Sequence, residues 1–185
     1  MKNTNIKLIT RTAIMLALTV VFQALGRYTN LGPNSNFVVG PLVNACLLIA
    51  TSAAGLWGGT LVAIISPFGA VITGATLPLP FLPFIAMGNI LLVVTFYYST
   101  KSSRLKPFFK NAGKYVGILI GAILKFLFLY ASVAAFLRFY SVPQKLYNVM
   151  YFIFSWPQLL TAIVGGAIAL IIIKALERNK IVKTE

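Results

Sequence analysis

One ionisable residue stands in the middle of an apolar run long enough to cross a bilayer. The stretch Gly113–Arg138, GKYVGILIGAILKFLFLYASVAAFLR, carries Lys125 near its centre. An ammonium in hydrocarbon is costly, and such a residue marks a functional site by default. Its chemistry is electrostatic, a charge-assisted hydrogen bond to an anion. The chain offers no such anion inside the membrane, because its two acids, Glu177 and Glu185, both lie in the C-terminal tail. The missing anion then reads as a ligand carboxylate or phosphate. The plainer alternative is a structural lysine held by backbone carbonyls. Asn44, Asn89 and Gln158 sit in other apolar runs and would serve as orienting amides, with Thr73 a weaker candidate. Their plain alternative is hydrogen bonding between helices as packing.

Other chemistries lack their parts. The chain has no histidine, and its single cysteine, Cys46, lies in an apolar run. Acid–base catalysis and metal hydrolysis are short of donors and ligands. No enzyme, metal or cofactor is expected. Nor can the chain power transport alone. It has no G-x-x-x-x-G-K-[ST] loop for ATP phosphates. It also lacks the intramembrane Asp, Glu or His relay of a proton-driven carrier.

The elements that must position these residues are membrane helices. Of the 185 residues 59% are hydrophobic and only 10% charged, too few charges for a soluble surface. The net charge of +14 is parcelled into short segments between apolar runs, a topological pattern rather than a nucleic-acid footprint. The expected fold is all-α, a single membrane domain over residues 1–185 with six spans at about 8–26, 37–53, 60–77, 84–99, 113–138 and 147–176. The first run, with Ala24 and Gly26 at its end, also fits a secretory signal, but the chain continues straight into further spans. Gly113, Gly117, Gly121 and Lys125 recur every four residues, a small-residue stripe that turns the lysine toward protein. Pro67 and Gly69 predict a kink or break in the third span, and LPLPFLP is too proline-rich for a helix. Trp156–Pro157–Gln158 divides the last span.

Basic residues set the orientation. The head (Lys2, Lys7, Arg11), the loop after the fourth span and the tail hold 12 of the 16 basic residues, all on one side of a six-span chain. By the positive-inside rule both termini are cytoplasmic, and the protein is a multi-pass protein of the plasma membrane. Arg27, Arg138 and Lys145 face outward as a basic outer rim. Counted inward from the outer face at 1.5 Å per residue, Asn44 and Asn89 lie about 8–12 Å deep, Gln158 about 15 Å and Lys125 about 20 Å. That convergence predicts a polar cavity opening outward. Trp57 falls near the inner face, as an interfacial anchor.

The layout over residues 5–180 resembles the S component of an energy-coupling factor (ECF) transporter. It carries A-x-x-x-A on the first helix, here Ala13-Ile14-Met15-Leu16-Ala17, and GPLVNA and MGN in the second and fourth spans. The resemblance implies a six-helix subunit with both ends cytoplasmic that captures a vitamin or related micronutrient at an outward site. It implies that Ala13 and Ala17 dock on a transmembrane T component, which belongs to a module with two ATPase subunits. The alternatives are a stand-alone facilitator or channel, whose uptake needs no ATPase, and a structural membrane protein with no ligand.

Overall fold

The computed structural model describes residues 2–28, 32–75, 77–104 and 112–179. Most of the basic segment after the fourth expected span, 105–111, and the tail 180–185 lie outside the described residues. The chain is helical throughout these segments. It runs α1 (Lys2–Tyr28), α2 (Asn36–Ile72), α3 (Leu82–Arg104), α4 (Ala112–Phe139), α5 (Gln144–Ile153) and α6 (Trp156–Arg178), with short 3-10 turns at Gly32–Ser35 and Leu79–Phe81. All but α5 are long and apolar enough to cross a membrane.

At 37 residues, α2 would be about 55 Å long if straight, far beyond the ~30 Å hydrocarbon core. It is not straight. Gly55 takes φ 74 and ψ −172, a left-handed conformation that only glycine adopts without strain. The two halves, 36–54 and 56–72, fold back on each other, so that Gly59 packs against Thr51 and the far ends meet at one cavity. The break leaves carbonyls at the end of the first half without helical donors. Arg11 supplies one, its Nη1 donating to the Ala53 carbonyl at 2.8 Å.

Of the kink or break expected at Pro67 and Gly69, the break is absent: the helix continues through them. Proline removes the donor for the carbonyl four residues back, Ala63. Ser66 Oγ donates to that carbonyl at 3.4 Å, a long bond that covers it only in part. The proline-rich segment is also more helical than expected, since it forms a 3-10 turn over Leu79–Phe81 and α3 starts at Leu82. In the last expected span the division lies just before Trp156, so that α5 and α6 are separate helices.

α2 is the centre of the bundle, packed against α1, α3 and α6, while α3 pairs with α4. Small residues set these approaches. Gly117 and Gly121 lie on the Phe96 and Leu92 backbone of α3, and Gly165 of α6 lies on Pro41 and Asn44. Two apolar cores result. One gathers Leu47, Leu48, Val62, Leu92, Phe96 and Ile118. The other gathers Phe81, Leu129, Val133, Phe136, Met150 and Phe154. Phe81 anchors the second, its ring 5.1 Å from Phe136 and 4.9 Å from Phe154. Along the chain Asn89 and Lys125 fall between the two cores, so the polar residues form a layer sandwiched by apolar ones.

Candidate functional site

A cavity of about 690 Å³ occupies that layer, a size typical of small-molecule sites. It lies toward the end of the bundle that carries Arg27, Asn36, Thr73 and Lys145. The opposite end holds Arg11 and the Lys114–Glu177 ion pair, 2.6 Å between Nζ and Oε1. Helices α1, α2, α3, α4, α5 and α6 all contribute to its wall.

At its base Lys125, only 4% exposed, donates through Nζ to Asn44 Oδ1 at 2.6 Å. The glycine stripe below it lets α4 lie close on α3. Close packing of Gly165 on Asn44 and of Gly166 on Ile118 brings α2 and α4 to the same height. Asn44 and Lys125, counted to different depths in the outer half of the membrane, are joined by the Nζ–Oδ1 bond. The lysine has a neutral partner and no carboxylate, since Glu177, the acid among the described residues, pairs with Lys114.

Asn89 is buried on α3, and its Nδ2 donates to Ser66 Oγ at 3.2 Å. Gln158 lies in the first turn of α6 and donates through Nε2 to the Ile153 carbonyl at 3.2 Å, covering a carbonyl at the end of α5. Thr73, at the end of α2, uses its hydroxyl on the Gly69 and Ala70 carbonyls at 2.9 and 3.0 Å. It lines the wall but acts as a local cap.

Arg27 and Lys145 line the cavity near its mouth; Arg138 is exposed and is not part of the wall. The Arg27 guanidinium lies over Gly74, whose φ of 102 again requires glycine. Lys145 is carried by α5, which also contributes Val149 and Ile153. Ala13 and Ala17 are exposed on α1, the least buried of the long helices, on a side that also presents Ile9, Ile14 and Leu18 to the outside.

A family model described as "ECF transporter, substrate-specific component" matches residues 7–177. The chain belongs to that family. No curated protein and no solved structure matches it. It is therefore a multi-pass membrane protein and the substrate-specific subunit of an ECF transporter, a transporter component rather than an enzyme. Its partners are a small-molecule substrate and the T and ATPase components.

Three residues of this S component's cavity escape the sequence-based selection. Gln23 of α1 donates through Nε2 to the Ser66 carbonyl at 2.9 Å, and its Oε1 is buried without a partner. Asn36, at the start of α2, has a buried Nδ2 without a partner. Ser66 links both Gln23 and Asn89. Gln23 is an amide in an apolar run, the same signal that singled out Asn44. Ser66 has only its place before Pro67 to mark it.

Proposed function

We propose that this S component captures an anionic vitamin or related micronutrient from the outer side of the plasma membrane. The supporting observation is the buried Lys125 ammonium, whose bonded partner is the neutral Asn44 oxygen, with no carboxylate beside it among the described residues. A lysine has three donors, so two remain for a ligand. A carboxylate or phosphate there gains charge-assisted bonds in a site of low dielectric. Asn44, Asn89 and Gln158 orient the ligand, and Arg27 and Lys145 raise the local concentration of anions at the mouth.

In this reading the chain crosses the membrane six times, the two halves of α2 counting separately, and both termini are cytoplasmic. The distribution of basic residues supports it, as does the position of the cavity at the end opposite Arg11 and the Lys114–Glu177 pair. The exposed Ala13–Ala17 face of α1 docks on the T component, whose module with two ATPases supplies the energy. Native mass spectrometry of the detergent-purified protein tests the central claim. The expected result is a bound small molecule that fragments as a carboxylic or phosphoric acid; a bound neutral or cationic molecule rejects it.

A further inference from the structure

The outward face of α6 changes character along its length. Leu160, Ile163, Ala167 and Ile171 are exposed and recur every three or four residues, so they lie on one helical stripe. Lys174 and Arg178 continue that stripe toward the helix end, and both are exposed. The opposite face, which carries Gly165 and Gly166, is buried against α2 and α4. From Trp156, exposed at the cavity end of the same stripe, the rise to Lys174 is about 27 Å at 1.5 Å per residue. That is close to the thickness of a hydrocarbon core. The two cations therefore stand at one bilayer interface, on the side away from the cavity.

Neither cation has an acid beside it among the described residues. Glu177 is held by Lys114 of α4 at 2.6 Å. The Ala175 carbonyl at the helix end is covered by Asn179 instead, through its backbone N–H at 3.2 Å and its Nδ2 at 3.1 Å. Lys174 and Arg178 flank a shallow hollow of about 430 Å³ together with Ile171, Ala175 and Asn179. Directly below it, Ile171 is 72% exposed, and the small Ala167 leaves a dip between Ile171 and Ile163.

We propose that this face of α6 holds one anionic phospholipid. Its phosphate lies on Lys174 and Arg178, and an acyl chain runs along Ile171, Ala167 and Ile163. Arginine suits a phosphate as a planar fork and lysine as a point charge. The occupant must match both halves of the stripe. An acidic soluble partner would answer the cations and leave the aliphatic part bare. A second copy of the chain lying parallel would set like charges against each other. A lipid with a net negative headgroup satisfies both. The proposal rests on α6 alone and not on the reading of the cavity; the orientation proposed above adds only that the leaflet is the cytoplasmic one, where anionic lipids attract basic segments.

The test is native mass spectrometry of the full-length, detergent-purified protein titrated with phosphatidylglycerol or with phosphatidylcholine of the same acyl chains. The first phosphatidylglycerol should bind about tenfold or more tighter than the first phosphatidylcholine. The double variant Lys174→Gln/Arg178→Gln should bring that ratio to within about twofold, since each cation near a lipid surface carries a comparable share. Lys101→Gln, which removes an exposed cation near the end of α3, should leave the ratio as it is. Equal binding of the two lipids, or an unchanged preference in the double variant, overturns the proposal. A preference reduced as much by Lys101→Gln means a diffuse basic surface, which also overturns it. Glycerol 3-phosphate has a phosphate but no acyl chain and should not displace the lipid; displacement by it overturns the lipid assignment in favour of a soluble phosphate. Loss of co-purification with the T component in the double variant, with the lipid preference kept, assigns the face to a protein partner and overturns the proposal as well.

Discussion

The Lys125 ammonium and the Asn44 side-chain oxygen lie 2.6 Å apart in a layer between two apolar cores, and they come from helices 81 residues apart in the chain. A neutral amide satisfies one of three donors and none of the charge. Replacing the lysine by methionine keeps the apolar stem and removes the ammonium. Lys125→Met should weaken binding of an acidic ligand by about 2–5 kcal/mol, the usual loss when one partner of a buried charged pair is removed. The melting temperature of the empty protein should hold or rise, because an unpaired buried charge goes with it. Calorimetry and thermal denaturation in the same detergent check both. Undiminished affinity makes the lysine structural.

The hydroxyl of Ser66 joins a backbone consequence of Pro67 to a side chain of the cavity. Ser66→Ala should cost about 1–3 kcal/mol, since the Ala63 carbonyl loses its donor inside the bundle. Ser66→Thr retains the hydroxyl and should recover most of the loss. Comparison of melting temperatures separates the two. An alanine variant as stable as the parent means that water or a helical shift replaces the bond.

Gly55 makes two membrane-length helices from one run of helical residues. Any L-residue at φ 74 is strained, by about 1–2 kcal/mol for alanine. No atom crowds the position where a Cβ would stand, so the cost is conformational alone. Gly55→Ala should lower stability by at least that amount, and Gly55→Asn by as much, because ψ −172 lies outside the left-handed helical well that asparagine tolerates. An alanine variant as stable as the parent in thermal denaturation would falsify the backbone account.

Much of this was readable from composition and spacing. The apolar runs, the burial side of the Gly117–Gly121–Lys125 stripe and the polar residues at Asn44 and Asn89 follow from periodicity and from the cost of polar groups in lipid. What was not readable depends on partners. Depth counting gathers Asn44, Asn89, Gln158 and Lys125 in the outer half of the membrane, but nothing in it shows that Lys125 bonds to Asn44. Pro67 and Gly69 read as a kink or break, because nothing in the sequence shows that Ser66 will reach the freed carbonyl; the turn itself falls at Gly55, within the Gly55, Gly58 and Gly59 group that separates the second and third expected spans. Gln23 was passed over although it met the rule applied to Asn44; only its committed nitrogen and unpaired oxygen distinguish it.

Orientation is open to chemical labelling. In a Cys46→Ser background, single cysteines at Ser35 and Ser141 should react with an impermeant thiol reagent added to whole cells, and one at Ser102 should not. Ser35 and Ser141 lie at helix ends on the cavity side; Ser102 is exposed near the end of α3, beside the basic segment. Labelling at Ser102 alone inverts the topology.

The last prediction concerns α1. Its Ala13 and Ala17 lie one helical turn apart on an exposed face, and small residues so spaced allow a second helix to approach closely. A tryptophan at Ala13 would hold the partner away by the width of its ring. Ala13→Trp should therefore abolish co-purification with the T component and stop uptake in cells. Ligand binding by the isolated subunit should stay within about twofold of the parent, because a change confined to an exposed face alters stability by about 0.5 kcal/mol or less. The cavity wall includes no α1 residue before Gln23, so the substituted position stands well below it along the helix. Binding and docking measured on the same preparation tell steric separation from misfolding: loss of both indicates a damaged fold, and retained co-purification with normal uptake removes this face from the docking surface.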